Sequence, residues 1–320
     1  MVRLVTKARA KGYYTVRRNP ADLYEMGPVA PEPDGNLVML YYLDGFIDAG
    51  AAGRLLTTHL MTTLEHEVVA EFDLDSLLDY RSRRPIMTFV KDHWDDYDAP
   101  ELSLSLLRDG EGTPFLMLAG LEPDREWEAF TAAVRQLSAE LRVRLAVGFQ
   151  GIPMGVPHTR QLGVTAHATQ PDLIEGYRPL VDKLQVPGSA AALLEYRLGQ
   201  EGKPAIGFAV HVPHYLAQAA YPAAAETLLE SVQRVTGLVL PADALRESAR
   251  RTDLEIARQV EGSAEVGEVV RALEQQYDAF TADRENLLAS ESDDVPTAEE
   301  IGAQFERFLA EQGKGENPEQ

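Results

Sequence analysis

The chain has no cysteine among its 320 residues. Disulfides, thiolate nucleophiles and zinc sites built on sulfur are therefore excluded. Positive charge is scarce: 30 lysines and arginines stand against 51 acids, a formal charge of −21. A nucleic-acid binder normally offers a basic face that releases counterions, so nucleic acid is not an expected partner. No stretch approaches the ~20 apolar residues of a membrane-spanning helix. The basic start, Met1 to Arg9, is followed by polar and aromatic residues instead of an apolar signal core. The expected setting is the cytoplasm, with no membrane partner. Also missing are a Walker loop, a G-x-S-x-G elbow and an H-E-x-x-H pair, so enzymes built on those templates are not expected.

What is present is a 45% hydrophobic composition, enough for a packed interior. At this length a main domain plus an accessory segment is expected. Four apolar runs each end in a loop of Gly, Pro, acid or His, and a helical pattern follows. Leu37 to Leu43 leads into Asp44 to Gly50, and Phe115 to Ala119 into Gly120 to Asp124. Leu145 to Phe149 leads into Gly151 to His158, and Ile206 to Val210 into His211 to Tyr215. If the four strands are parallel neighbours, their loops share one edge, where open α/β sheets hold ligands.

Punctuation by Asn19-Pro20, Gly27-Pro28 and Pro31 to Gly35 predicts an extended arm over residues 1–36. The α/β core is expected over 37–237. Its helices are marked by Ala52, Leu56, Leu60 and Leu64, by Trp127, Phe130, Val134, Leu137 and Leu141, by Ala190 to Leu198, and by Pro222 to Gly237. Near 85–108 the pattern shifts to Ile86 to Val90, an acidic aromatic loop, then Leu102, Leu104 and Leu106 alternating with serines. This predicts a hairpin insertion whose edge packs on its own domain or self-associates. Residues 238–313 read as a helical segment, with Ser263 capping a helix that carries Val266, Val269, Val270, Leu273, Tyr277 and Phe280. Thr297 and Glu300 form a capping-box pattern before Ile301. Residues 314–320 read as a disordered tail. Twenty acids against eight bases follow residue 240, so this part carries −12 of the −21.

Each candidate site residue has a structural and a functional reading. Asp44 and Asp48 lie on a Gly-bounded turn entering a helix, which suits a helix cap or an anion loop. Glu122 and Asp124 flank Pro123 at a helix start, where acids are favoured by the helix dipole; Glu122 is equally a pocket carboxylate or general base. His158 follows two prolines and two glycines that keep it out of regular structure, and it serves as a proton-transfer candidate. His167 lies in the alternating segment Val164 to Thr169 and reads as a residue lining a strand face. His211 and His214 bracket Val212-Pro213, but Pro213 spoils the one-face helical geometry that a metal pair needs, so no metal is expected. Tyr215 and Tyr221 suit stacking on a ring or core packing. His59, on an apolar helix face, reads as a hydrogen-bonded core residue. The candidate catalytic residues are Glu122 and His158. The candidate ligand set is Asp48, Glu122, His158, His211, His214 and Tyr215, with no cofactor.

As a set, Gly45-Phe46-Ile47-Asp48-Ala49-Gly50, Gly120-Leu121-Glu122-Pro123-Asp124, Gly151 to Arg160 and His211-Val212-Pro213-His214-Tyr215 resemble the actinobacterial branch of the proteasome assembly chaperone 2 family. The likeness runs from about residue 30 to 235. It implies a three-layer α/β sandwich of phosphorylase/hydrolase-like type, with C-terminal helices lying as a lid over the crevice. It also implies a homo-oligomer, with a trimer as the expected state. Eukaryotic relatives help proteasome α subunits form rings, and some archaeal relatives dock through a C-terminal hydrophobic-Tyr-any tail. This chain ends Asn317-Pro318-Glu319-Gln320, which departs from that tail. The resemblance implies a noncatalytic chaperone-like or scaffold protein linked to proteasome assembly, with proteasome subunits or another protein as partner. The alternative is a small-molecule, nucleoside-like binder or a hydrolase/phosphorylase-type enzyme at the loop crevice.

Overall fold

In a computed structural model, which describes residues 18–28, 36–177 and 183–289 with side chains through residue 282, the buried runs become a sheet between two helical layers. The first strands and helices are β1 (Tyr24–Met26), β2 (Leu37–Asp44), α1 (Ala52–Thr63), β3 (His66–Phe72) and the single turn α2 (Leu74–Leu77). They are followed by β4 (Met87–Val90), β5 (His93–Tyr97), β6 (Leu102–Arg108), β7 (Pro114–Leu121), α3 (Trp127–Glu140), β8 (Val143–Met154) and β9 (Val164–Ala168). The chain continues through α4 (Ala190–Gln200), β10 (Ala205–Pro213), α5 (Pro222–Thr236), α6 (Asp243–Glu261) and α7 (Ala264–Ala289). The capping box at Thr297, the 314–320 tail and most of the N-terminal arm lie outside the described residues.

The main sheet has eight strands in the order β1-β3-β6-β7-β2-β8-β10-β9. Its centre, β7-β2-β8-β10, is parallel, and antiparallel strands extend it on both sides. The four runs singled out in the sequence are therefore adjacent and parallel, and their C-terminal loops leave from one edge. Alternation along β2 sorts its side chains between two cores. Val38, Leu40 and Tyr42 pack with α1, α5 and α6. Leu37, Met39, Tyr41 and Leu43 pack with α3 and α4 on the other face. Seven of the eight β2 residues are buried, and each such apolar side chain contributes roughly 2 kcal/mol through burial. The architecture is the expected three-layer α/β sandwich.

Local chemistry sets the helix ends. Pro222 opens α5, and Gly237 closes it in the left-handed region at φ 76°, with its N–H donating to the Gln233 carbonyl. Ser189 caps α4 by accepting from the Ala192 N–H. His59 donates from Nε2 to the Pro241 carbonyl across 2.7 Å, tying α1 to the segment entering α6. Among the described residues, no helix is long and apolar enough to cross a membrane.

The structure differs from the sequence reading in three places. Part of the N-terminal arm is regular: Tyr24–Met26 pairs antiparallel with β3 at the sheet edge, and the preceding Leu23 is fully buried. The hairpin is also shorter than expected. Val90 pairs with His93, so Lys91-Asp92 closes a two-residue turn, with Lys91 in the left-handed region at φ 54°. The acidic aromatic stretch thus supplies the second strand, β5. The leucines of β6 instead enter the main sheet between β3 and β7, where Leu102 and Leu104 are buried. Third, α6 packs along α5, placing Leu245 and Ile256 in the first core, while α7 crosses the loop after β8.

Candidate functional site

On the α4 face, three strand registers place Tyr41 opposite Gly148, Gly148 opposite Gly207, and Gly207 opposite His167. The two glycines leave room for the two rings to lie over the sheet. A Cβ on Gly148 would sit 2.5 Å from Tyr41 Cζ, and one on Gly207 would sit 2.0 Å from His167 Cε1. Alanine at either position would displace a ring. Together with Phe46, Glu122 and Glu195, the rings Tyr41 and His167 wall a cavity of about 270 Å³. Among the described residues, neither α6 nor α7 contributes to this wall. The cover comes instead from Val186, Pro187 and Ser189, just before α4.

The polar groups of the cavity are unevenly satisfied. His167 Nδ1 and Glu195 Oε1 are 2.8 Å apart. Packing around the imidazole would lower its pKa, but the hydrogen bond and charge of Glu195 outweigh that and raise it. Tyr41 is only 3% exposed. Its hydroxyl is pushed well above the ordinary tyrosine range, first by burial and then by the Glu195 charge. Among the described residues that hydroxyl has no hydrogen-bond partner.

Glu122 stands at the mouth of the same cavity, where β7 turns toward α3. It is 5% exposed, and Oε1 accepts a 2.6 Å hydrogen bond from the Ala190 N–H at the start of α4. Burial raises its pKa; the Ala190 N–H and the nearby Arg83 guanidinium oppose that shift without cancelling it. Arg83 donates to the main-chain carbonyls of Glu122 and Asp44 and pairs with Asp124 at 3.1 Å.

Asp48 has a structural position. Oδ1 accepts from the Gly53 and Gly151 N–H groups, both at 2.9 Å, and Oδ2 accepts from the Arg54 N–H and the Tyr42 hydroxyl, both at 3.0 Å. One carboxylate thus caps α1 and fastens the β2 loop to β8. Gly151 allows this approach, since a Cβ there would lie 2.1 Å from the Ala49 carbonyl oxygen.

His158 and Tyr215 meet beyond the end of β10. The Tyr215 hydroxyl accepts from the His158 main-chain N–H at 2.9 Å and lies 2.7 Å from Nδ1. Burial lowers the His158 pKa against the opposing charges of Asp253 on α6 and Glu274 on α7. His214 is exposed, with its ring edge-on to Tyr215 at 5.5 Å. His211 Nε2 is 2.8 Å from the Thr165 hydroxyl on β9.

The structure therefore divides the expected ligand set. Glu122 lines the cavity, Asp48 braces a turn, His158, Tyr215 and His214 form a cluster close to α7, and His211 faces β9. The cavity wall includes none of these except Glu122. Tyr41, Glu195 and the glycine pair were missed in the sequence, and His167 was seen only as a strand residue. Their one sequence signal is a glycine inside each of two buried strands, which marks close approach of another group. Among the described residues, no group of three His, Asp or Glu side chains is placed to hold a metal.

A second exposed feature is the β4–β5 hairpin, in which every residue of both strands is exposed. Ile86 is 73%, Phe89 55% and Trp94 62% exposed, and Phe89 and Trp94 meet edge-to-face at 5.1 Å. At its base an open groove of about 580 Å³ runs toward α1, lined by Arg54, Arg84, Ile86 and Pro100 among others.

Comparison with known proteins adds a family and a set of folds. The PAC2 family model matches residues 42–260. A crystal structure of the unknown-function protein Rv2714 of Mycobacterium tuberculosis is 50% identical, with a TM-score of 0.79, covering 87% of this chain and 95% of that one. A Corynebacterium glutamicum protein of unknown function is 39% identical, with a TM-score of 0.77, over 80% of this chain and 97% of that one. The M. tuberculosis proteasome-assembly chaperone homologue Rv2125 is 24% identical, with a TM-score of 0.67, over 73% of this chain and all of that one, a likeness of fold. Among curated proteins, none matches the sequence.

Proposed function

The chain belongs to the PAC2 family, and from that premise we propose that it is a noncatalytic, chaperone-like scaffold linked to proteasome assembly. Proteasome subunits are its proposed partners and the cytoplasm its proposed setting. The observation that carries this reading is the hairpin. A two-stranded ribbon with Ile86, Met87, Phe89, Trp94 and Tyr97 all exposed presents both apolar surface and unpaired strand edges. Soluble proteins normally cover such features. Aromatic anchors of this type dominate protein interfaces. The same ribbon suits a second copy of the chain, so a homo-oligomer, with three copies by family resemblance, belongs to the proposal.

The test compares the full-length protein with a Phe89→Ser, Trp94→Ser double variant. Both are mixed with proteasome α and β subunits of the source organism at native salt, and complexes are read by sedimentation velocity. The expected result is a complex with the parent protein and its loss in the variant, with the melting temperature little changed because both side chains are more than half exposed. If the parent captures no proteasome subunit, or the variant captures it equally well, the proposal fails.

A further inference from the structure

We propose that the cavity between the sheet and α4 is a binding site for a compact, flat, uncharged or cationic molecule that presents N–H or O–H donors. This site is separate from the hairpin, and the inference does not rest on the scaffold reading.

Three observations carry it. First, the space is built into the sheet. Gly148 and Gly207 occupy adjacent register positions in β8 and β10, and larger residues at either would push Tyr41 or His167 out of place. Second, Tyr41 lines the cavity, and its hydroxyl has no hydrogen-bond partner among the described residues, which leaves it free to pair with a bound molecule. A ligand in the cavity would supply what the chain does not. Third, the wall has a consistent chemical sense. Its acidic side chains are Glu122 and Glu195, the latter paired with His167, whose charged form that pairing favours, and among the described residues lining it there is no lysine or arginine. Phosphate, carboxylate and sulfate groups would meet acceptors and negative charge. Amines, amidines and amino-substituted rings would find carboxylate acceptors at two sides and the Tyr41 ring at the floor. The apolar remainder, which includes Leu43, Phe46 and Val186, suits the flat body of such a molecule.

The experiment uses the full-length protein and three donor probes, benzamidine, tyramine and adenosine, each beside an anionic counterpart of similar shape: benzoate, 4-hydroxyphenylacetate and adenosine monophosphate. Binding is read by calorimetry and by shift of the melting temperature. At least one donor probe is expected to bind with a dissociation constant near or below about 1 mM, and its anionic counterpart about tenfold or more weakly. Tyr41→Phe, which removes one oxygen, and Glu195→Gln, which removes one charge, are each expected to weaken that binding about fivefold or more. Ala192→Trp places bulk in the cavity from an exposed helix position and is expected to abolish it while leaving the unfolding transition cooperative. The hairpin double variant is expected to bind as the parent does, so loss of partner capture and loss of ligand binding are independent outcomes. The inference is overturned if no donor probe binds up to about 10 mM, if anions bind as well as donors, or if Ala192→Trp leaves binding intact.

Discussion

Glu122 holds opposing demands in one side chain. Its carboxylate accepts from the first N–H of α4, which favours charge, yet it is almost fully buried, which disfavours charge more strongly. A carboxyl whose folded pKa is raised contributes stability that is fully present below its unfolded value of about 4.5 and lost as pH rises through the folded value. Glu122→Gln keeps an oxygen for the Ala190 N–H but carries no charge. The variant is expected to melt above the parent at pH 8, by roughly 2–4 °C for each kcal/mol relieved, and the gap should narrow toward pH 4. Calorimetry across that range checks it, and a gap that widened toward acid would contradict burial as the dominant cause. Glu122 was legible in the sequence as a helix-start carboxylate, because Pro123 and Trp127 marked the helix. Its partner Ala190 was not legible, since no local pattern links a β7 loop to a helix start 68 residues later. The same limit hid Tyr41 and Glu195: a tyrosine within an apolar run reads as core, and only strand register shows that it lies over a glycine.

At the scale of elements, the helices and the four central strands could be read because each is specified by its own periodicity and end signals. The placement of β6 could not. Alternating leucine and serine tells which residues share a face but not which strand lies alongside, and β6 found buried neighbours on both sides instead of joining the hairpin. The attachment of α7 was equally hidden, because it depends on polar contacts with a distant loop. Arg160 donates to Asp278 through Nε at 2.8 Å and through Nη2 at 2.7 Å, and the Tyr277 hydroxyl donates to the Gln161 carbonyl at 3.1 Å. Val270 is buried on this helix, while Val266, Val269 and Phe280 remain well exposed. An element held largely by exposed ion pairs is sensitive to salt, which screens them over a few ångströms at about 1 M. Raising salt to that level, or substituting Arg160→Ala, is expected to speed amide exchange throughout α7 while β2 and β8 keep their protection. Hydrogen-exchange mass spectrometry reads both regions in one measurement, and equal protection of α7 under all three conditions would show that apolar packing holds it.

For the whole molecule, the two C-terminal helices have different weights in the fold. α6 supplies Leu245 and Ile256 to the core shared with α1 and α5, and Ala249 is buried beside them. Losing large apolar side chains from a core costs about 2–5 kcal/mol apiece, and a domain's entire stability is only about 5–15 kcal/mol. α7 contributes Val270 and polar contacts. A chain ending after Gly262 is therefore expected to unfold cooperatively within a few degrees of the parent, while one ending after Gly237 should lose its sharp transition and aggregate. Among the described residues, the cavity wall contains none beyond Phe208, so the longer truncated chain should also retain whatever donor probe the parent binds. Calorimetry with size-exclusion chromatography separates the cases. A sharp, unshifted transition after removal of both helices would mean that α5 needs no cover, contradicting the role assigned to Leu245 and Ile256.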